Sequence, residues 1–316
     1  MSAILQIAQD ALTPFAKQKN TGNCYEFYTA LYFLRQMGLT DNDCIILGPL
    51  IVEISNTNAK SSAKIMSTFK NICATPVGKG LVINNVSVIS LRNVTQSDDD
   101  GGTGDLILVF ANGTEKSVSV CEGQQKKNGD IEKCLSNPTC RRFGCDDDTV
   151  TQFKNIANDA VPKYKAEIAA KYGTDETKWP QSRFKSKAQP EACSAVASIV
   201  CTKFNALAKG LKVAIMEDLL RISAGTKPAD MLCIVKNDCS SHSLYEIRGV
   251  KPDLVWNPRF ETTNYYLNMY LGDIQIGRTQ VKFNNGVYHK GKTSSLTSSW
   301  NATAIMSKVF DLTPCL

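Results

Sequence analysis

Some features are scarce in the 316-residue sequence, and each shortage narrows the classes of protein it can encode. Histidine occurs only at His242 and His289, which leaves little for a site built on several histidines. No run approaches the ~18 apolar residues of a membrane span. The first residues also lack the basic and apolar regions of a signal peptide. We therefore expect an intracellular, cytoplasmic protein with no membrane association.

Several short functional motifs are absent as well. The chain has no G-x-G-x-x-G, P-loop, G-x-S-x-G or H-E-x-x-H segment, so nucleotide cofactors and the common hydrolases that use these motifs lack support. Cys–His nucleophilic catalysis stays open in principle, although no local arrangement favours any one cysteine. We expect no nucleotide cofactor.

Cysteine, by contrast, is abundant, with twelve residues. In an intracellular protein such thiols stay reduced, and we expect them to act as small buried apolar residues. The segment "CLSNPTCRRFGC" leaves a structural zinc open as an alternative, with Cys134, Cys140 and Cys145 as ligands and a histidine completing the site. Its spacing matches no common zinc finger.

Apolar residues make up 43% and charged residues 21% of the chain, as in a globular protein with a sizeable core. The net charge of +6 is compatible with a polyanionic partner. Hydrophobic periodicity predicts helices over 2–19, 23–38, 59–73 and 147–172, and two more within 190–222. Alternation predicts strands in "LVINNVSVISLRNVT", "MLCIVKN" and "SLYEIRG". The segment "CIILGPLIVEI" is either a strand or a short buried helix.

The predicted fold is α/β (α+β): a mixed central sheet flanked by helices, continued by C-terminal antiparallel strands. No repeat, low-complexity tract or obvious linker divides the sequence. We therefore assign 1–316 to one elaborated domain. Within it we expect a helical insertion at 147–225 and Gly-rich, antiparallel strands over 264–312.

The segment "TGDLILVFANGTEKSVSVCEGQQKK" predicts a β-hairpin with an acid near each free end. Asp105 precedes the apolar run "LILVF", Asn112-Gly113 forms the turn, and Glu122 ends the second strand, where it can face Asp105. A carboxylate at the head of a buried strand needs a partner. Two carboxylates at one sheet edge suit Mg²⁺, which prefers oxygen ligands and keeps its waters. Glu26, on the second predicted helix, is a candidate third ligand.

This layout resembles the PD-(D/E)xK nuclease superfamily and, within it, the type II restriction endonucleases. The resemblance rests on Glu26 in "GNCYEFYTALYFLRQMGL", on the acid of "TGDLILVF", on "KSVSVCEGQ" in place of the (D/E)xK half, and on the C-terminal "GRTQVKFNNGVYHKGKTSSLTSSW". It implies a restriction-endonuclease-like fold and Mg²⁺-dependent, site-specific cleavage of double-stranded DNA by a homodimer. The cysteine content further suggests a eukaryotic host cytoplasm, as for an enzyme carried by a large DNA virus.

The sequence departs from the motif at two points. Gly104 stands where the motif has proline, and the motif lysine is absent from the simplest alignment. In one register, Glu122-Gly123-Gln124 forms an E-x-Q variant, which supplies a carboxylate and a polar partner. In the other, Ser119-Val120-Cys121 occupies the motif and Cys121 replaces the lysine. Side-chain alternation favours the second register, because Val118 and Val120 would pack on helices while Ser117, Ser119 and Cys121 face a cleft. Chemistry favours the first, and a nearby lysine also stays open for the missing charge.

Residues expected to bind DNA are basic or amide side chains that contact phosphates or base edges. They are Arg278, Gln280, Lys282, Asn284, His289, Lys290, Lys292, Ser294 and Ser295 in the C-terminal strands, and Lys126 and Lys127 beside the hairpin. The alternative function is that of a non-catalytic DNA-binding protein that retains a nuclease-like fold.

Overall fold

The computed structural model describes residues 2–17, 23–94, 105–135, 138–180, 184–220, 229–283, 286–289, 291–298 and 300–315. The chain groups into two compact units, which are described separately. The first contains 1–133, 225–250 and 310–316, and the second contains 134–224 and 251–309. The helices predicted between 147 and 225 belong to the second unit, as do most of the predicted C-terminal strands. The assignment of 1–316 to one domain stays a prediction.

The first unit has four helices. They are α1 (Ala3–Lys17), α2 (Asn23–Gln36), α3 (Asp41–Thr57) and α4 (Ser62–Cys73). Of these, α1 and α2 contact the strands of the unit, and α3 and α4 pack on those two helices. Of the alternatives for "CIILGPLIVEI", the helical one is correct, since the whole segment lies in α3. The N-terminus of α3 is fixed by a capping box, in which Thr40 and Asp43 bond each other's backbone amides. The helix is not fully buried, because the Ile45 side chain is 75% exposed.

Eight strands form the mixed sheet of the first unit. They are β1 (Val82–Ile83), β2 (Val86–Asn93), β3 (Leu106–Phe110), β4 (Glu115–Gln125), β5 (Ile131–Cys134), β6 (Met231–Val235), β7 (His242–Val250) and β14 (Phe310–Pro314). The hydrogen-bonded order is β1-β2-β3-β4-β6-β7-β14, and β5 pairs with the far end of β4. Strands β4 and β6 are parallel, and the other described pairs are antiparallel. The predicted mixed sheet flanked by helices is thereby confirmed.

Alternation along β4 divides its side chains between two environments. Val118 and Val120 belong to the apolar core that also contains residues of α1, α2 and α3. The odd-numbered Ser119 and Cys121 point to the opposite face, as expected from the twofold period of a strand. Glu122 has the parity of the valines and therefore lies on the side of the sheet that α2 covers.

The second unit combines a four-stranded antiparallel sheet with helices. Its elements are α5 (Asp147–Tyr172), α6 (Ala188–Ala206), α7 (Lys209–Leu220), β8 (Pro258–Thr263), β9 (Tyr266–Leu271), β10 (Ile274–Gln280), β11 (Tyr288–His289), β12 (Lys292–Thr293), β13 (Asn301–Ile305) and α8 (Met306–Val309). The sheet order is β8-β9-β10-β13. Strands β8 and β9 pack against α6, and the Phe204 and Phe260 rings stack with 4.0 Å between their centroids. Within the described residues, no helix is both long and apolar enough to cross a membrane.

Gly123 is required by the close approach of β5 to β4. A Cβ atom at this position would lie 2.2 Å from the carbonyl oxygen of Glu132. Because backbone cannot move aside as a flexible side chain can, we expect Gly123→Ala to lower the free energy of unfolding by about 2 kcal/mol. Gly48, inside α3, has nothing within 4 Å of an added Cβ. Gly48→Ala should therefore raise the free energy of unfolding by about 1 kcal/mol.

Urea denaturation of the two variants beside the unmutated protein checks this prediction. Equal effects of the two substitutions would show that β5 does not approach Gly123 closely in solution.

Candidate functional site

Asp105 continues the hydrogen-bond ladder between β3 and β4 past the first residue of β3. Its own N–H donates to the carbonyl of Val118 at 2.8 Å. Its carboxylate Oδ2 accepts the N–H of Val120 at 2.6 Å. This carboxylate therefore satisfies a backbone donor of β4. The predicted position of Asp105 at the head of the strand is therefore correct.

Glu122 is held by two other segments of the first unit. Its Oε2 accepts the hydroxyl of Tyr25, on α2, at 2.8 Å. Its Oε1 accepts the side-chain amide of Asn237, in the turn between β6 and β7, at 2.7 Å. Burial, followed by the bond to Glu122, raises the pKa of the Tyr25 hydroxyl, which therefore stays a donor. The carboxylate is fixed in orientation from two sides.

A positive charge lies on the same side of the sheet. Lys64, on α4, lies over the Tyr25 ring with 4.2 Å between its Nζ and the ring centroid. The same ammonium donates to the carbonyl of Asn237. Lys64 therefore contacts both residues that hold Glu122, and sequence analysis did not single it out. Nothing local signals it, because α4 and the Asn237 turn are far apart along the chain.

The two predicted carboxylates lie near each other along β4. Asp105 lies against Val120, in the middle of β4, and the prediction that Glu122 ends its strand is wrong, because β4 continues to Gln125. Glu122 is two residues beyond Val120, whose amide Asp105 binds, which corresponds to about 7 Å along the strand. Each Glu122 oxygen accepts one hydrogen bond and keeps a second lone pair. The donor set therefore fits Mg²⁺, which takes one or two carboxylates and otherwise keeps its waters. Within the described ranges, no group of three or more His, Cys, Asp or Glu side chains is arranged to hold a metal.

Glu26 is the predicted third ligand. It lies in the first turn of α2, beside Tyr25, and is partly exposed. Its role as a ligand stays a prediction.

In the first motif register, Gln124 takes the place of the motif lysine, and it lies at the surface of the protein. The Gln124 side chain is exposed, and its amide is 3.4 Å from the carboxylate of Glu132 on β5. Gln124 thus belongs to the β4–β5 hairpin, where its backbone also pairs with Glu132. Its proposed catalytic role stays a prediction.

In the second register, Ser119 and Cys121 have the predicted parity but are not exposed in a cleft. Ser119 is 6% and Cys121 8% exposed. The Cys121 thiol points to the carbonyl of Cys233 at 3.7 Å. Lys133 of β5, itself 8% exposed, donates from Nζ to the Ser119 hydroxyl at 3.1 Å. Lys133 was missed, although "IEKC" gives the available signal, because the lysine there shares its strand face with the apolar Ile131.

Predicted DNA-binding residues of the second unit lie in two places. Arg278 and Gln280 are on β10, on the face that is not packed on α6. The Arg278 side chain is exposed, and its guanidinium lies 5.3 Å from the centroid of the Tyr266 ring. Val281 and Phe283 are buried while Lys282 is partly exposed, as the alternation predicted, although β10 ends at Gln280.

The other place is the β11–β12 hairpin, which packs on α5. It carries His289, partly exposed, and Lys292, exposed. Ser294 and Ser295 follow this hairpin. Asn284 and Lys290 lie outside the described residues.

In the first unit, Lys126 and Lys127 form part of the turn between β4 and β5. Lys126 is ion-paired with Glu132 at 3.0 Å, whereas Lys127 is exposed. The charge of Lys126 is therefore partly neutralised by Glu132, whereas the Lys127 side chain presents its charge to solvent.

The comparisons with known proteins yield little. No protein-family model and no solved structure matches the chain. A curated protein, nuclear rim protein 1 of Zygosaccharomyces rouxii, is 29% identical to it over 128 residues, which are 40% of this chain and 23% of that protein. The chain thus spans about a quarter of the length of the relative that it matches. This similarity is too short and too weak to show a family.

A partly buried histidine beside the site links stability to pH. His242 lies among the rings of Tyr28, Tyr32 and Phe33, and its Nδ1 is 3.1 Å from the Tyr28 hydroxyl. Burial lowers the pKa of His242 to about 4. Since the unfolded chain takes up this proton near the ordinary pKa of about 6.5, stability is complete above that pH and is lost as the pH falls towards 4. The loss amounts to at most about 3 kcal/mol.

We expect His242→Gln to flatten the dependence of the unfolding free energy on pH between about 6.5 and 4. Urea denaturation at a series of pH values measures it. His289→Gln is the matched control, because it removes the other histidine, which lies on β11 of the second unit. An unaltered slope in His242→Gln would contradict the assignment of this proton to His242.

Proposed function

We propose that this protein is a Mg²⁺-dependent endodeoxyribonuclease that cleaves double-stranded DNA at a short sequence, with a restriction-endonuclease-like core in its first unit. The observation that carries the proposal is that the Asp105 carboxylate, directly before β3, binds the amide of Val120, two residues from Glu122 on the neighbouring strand β4. This is the arrangement on which the resemblance to the PD-(D/E)xK nucleases was based.

Asp105 and Glu122 would hold the metal through carboxylate oxygens. When bound, Mg²⁺ supplies an acidified water and neutralises charge on the scissile phosphate. Tyr25 and Asn237 orient the Glu122 carboxylate, which limits its rotation during binding. The orientation is built into the fold, because the two donors come from a helix and from a strand-connecting turn.

The motif lysine has two new candidates. Lys64 contacts the residues that hold Glu122, and Lys133 bonds to Ser119, the first residue of the second register. Either ammonium supplies a positive charge of the kind that stabilises a negatively charged transition state. Their positions favour different registers, because Lys64 is on the Glu122 face of β4 and Lys133 is on the Ser119 face.

DNA would be bound by basic and amide groups of the second unit. Arg278 and Gln280 lie on a sheet face together with Tyr266, a composition suited to phosphate and base-edge contacts. If the target sequence is palindromic, a twofold homodimer is the natural reader, because the symmetry of the protein then matches that of the site.

The alternative is a DNA-binding protein without catalysis. It is favoured by the hydrogen bonds that occupy both oxygens of Glu122, and by the missing three-ligand cluster among the described residues. This protein would bind DNA in a salt-dependent manner and leave it intact.

Cleavage of a mixed-sequence plasmid, with Mg²⁺ or with EDTA, tests the proposal. We expect discrete fragments with Mg²⁺ only, and a loss of rate of about a hundredfold or more in Asp105→Asn and in Glu122→Gln. Asn is preferred to Ala at position 105 because its side-chain oxygen can still accept the N–H of Val120. Glu115→Gln is the control, since Glu115 is exposed at the other end of β4 and pairs with Arg92.

Intact plasmid under all conditions, with DNA binding retained, would support the non-catalytic alternative. Cleavage that persists in both Asp105→Asn and Glu122→Gln would exclude this site.

Binding by the β10 face is tested separately. We expect Arg278→Gln to weaken DNA binding roughly tenfold at low salt, because an exposed guanidinium is lost. Arg259→Gln is the matched control from the same sheet. The positive charge of Arg259 is already neutralised by an ion pair with Glu261, and its Nη2 lies 3.7 Å from Oδ1 of Asp273. Equal effects of the two substitutions in a fluorescence-anisotropy titration would argue against a specific role for Arg278.

A further inference from the structure

The second unit contains a cavity whose walls include three aromatic side chains. It lies between α5, the short 3-10 turn Glu176–Lys178 and the β11–β12 hairpin. Its volume is about 250 Å³. Pockets for drug-sized ligands begin at roughly 300 Å³, so this cavity has room for one flat ring system rather than for a larger molecule.

The three rings are held in place by contacts outside the cavity. Trp179 is 8% exposed and donates its indole N–H to a backbone carbonyl at 2.8 Å. Tyr164 packs edge-on against Phe184, with 5.6 Å between the ring centroids. Tyr288 is covered on one face by Lys165, whose Nζ is 4.2 Å from the ring centroid. The cavity is therefore bounded by fixed aromatic surfaces, on which another flat ring can stack.

The Tyr164 hydroxyl is a polar group that the fold leaves without a partner. Tyr164 lines the cavity and is 2% exposed. Within the described residues, no hydrogen bond is made by its hydroxyl. Burial raises the pKa of this hydroxyl, so it keeps its proton and can donate. Because the ring is otherwise enclosed, the cavity is where the hydroxyl can meet an acceptor, which would recover the cost of leaving it unbonded.

Glu176 supplies an acceptor to the same cavity. Its Oε1 accepts the Lys165 ammonium at 2.7 Å. In the part of the chain that the structure describes, no donor binds its Oε2, which stays available to an N–H group of a ligand. The cavity thus combines one donor and one acceptor with aromatic walls.

The rim of the cavity carries a positive charge. Gly291 lines the cavity, and nothing lies within 4 Å of a Cβ atom added to it, so the hairpin is open at this point. Lys292 follows directly and is exposed. A lysine at the mouth of an aromatic cavity suits a ring that is attached to a phosphate.

We propose that this cavity binds one nucleobase that carries an exocyclic amine, namely adenine or cytosine, with the attached phosphate near Lys292. The base stacks on Trp179 and Tyr288, as unpaired bases do on aromatic side chains. Tyr164 donates to a ring nitrogen, and Glu176 accepts from the neighbouring amine. Thymine has the inverse pattern, a ring N–H beside a carbonyl, and would turn its oxygen towards the carboxylate.

The recognised chemistry is the same for the base of a free nucleotide and for an unpaired base in a strand. The proposal rests on the proposed function only in taking DNA as the source of the strand. It requires neither Asp105 nor Glu122, the residues on which cleavage depends.

Binding by the full-length protein tests the proposal with two kinds of probe. One is the set of deoxynucleoside monophosphates of adenine, cytosine and thymine, titrated calorimetrically. The other is a fluorescent single-stranded thymine oligonucleotide that contains one adenine, one cytosine or neither, followed by anisotropy. We expect adenine or cytosine to bind about tenfold more tightly than thymine. A preference among the monophosphates identifies free nucleotides as ligands, and one among the oligonucleotides identifies an unpaired base of a strand.

Tyr164→Phe is the deciding variant, because it removes the hydroxyl and keeps the ring. We expect it to reduce the preference to roughly twofold or less. Tyr172→Phe is the matched control. Tyr172 is on the same helix and also packs edge-on against Phe184, but its side chain is 41% exposed and does not line the cavity.

Equal affinity for the three bases with both kinds of probe, or no binding of any probe, would overturn the proposal. So would a preference that Tyr164→Phe leaves intact. Asp105→Asn separates this result from the proposed function, because it should abolish plasmid cleavage and keep the base preference. A base preference without any cleavage by the unmutated protein would refute the nuclease alone, and cleavage without a base preference would refute the base site alone.

Discussion

The alternation of side chains along β4 is the constraint on which the candidate site depends. Because Val118 and Val120 must face the apolar core, Glu122 is directed to the side that α2 covers, and Ser119 and Cys121 to the other. A shift of one residue would move Glu122 to the opposite face of the sheet and take the two valines out of the apolar core. Burial of two valines thus fixes where the carboxylate meets Tyr25 and Asn237. The parallel pairing of β4 with β6 then brings the turn that carries Asn237 to the same end of the sheet.

The two carboxylates of the site are held in different ways. Asp105 accepts the backbone amide of Val120 with its side-chain carboxylate. Glu122 is held by side chains from two segments, with a lysine in contact with both. The first arrangement is local to a hairpin, whereas the second joins parts of the chain that are distant in sequence. Asp105 therefore stabilises the hairpin whether or not it binds a metal. Glu122 meets its hydrogen-bond donors, Tyr25 and Asn237, only when the whole first unit has folded.

Sequence patterns predicted the local features well. Periodicity predicted α1, α4 and α5, and the Asn-Gly turn with its flanking alternation predicted the hairpin that carries Asp105. The mixed sheet with flanking helices was also predicted. Such features follow from contacts between residues close in the chain. The sequence does not decide the secondary structure of the segment that forms α3, because a short apolar run is equally compatible with a strand and with a helix.

The partners of Glu122 could not be predicted in this way. Tyr25, Lys64 and Asn237 come from a helix, another helix and a turn, and no spacing relates them. For Lys133 the sequence carries only a weak signal, namely that it shares a strand face with Ile131 in "IEKC". The burial of Ser119 and Cys121 also depends on what covers the second face of the sheet, a property that a strand's own pattern does not encode.

The first unit is assembled from three separate stretches, 1–133, 225–250 and 310–316. Its strands β4 and β6 pair although more than a hundred residues lie between them, and β14 adds the edge beside β7 from the last residues of the chain. Contacts of such long range slow folding, because a large loop must close before they form. During synthesis this sheet cannot be completed until Phe310–Pro314, which forms β14, has left the ribosome. Until then the edges of β4 and β7 are open to wrong partners, so the nascent chain is the state most exposed to aggregation.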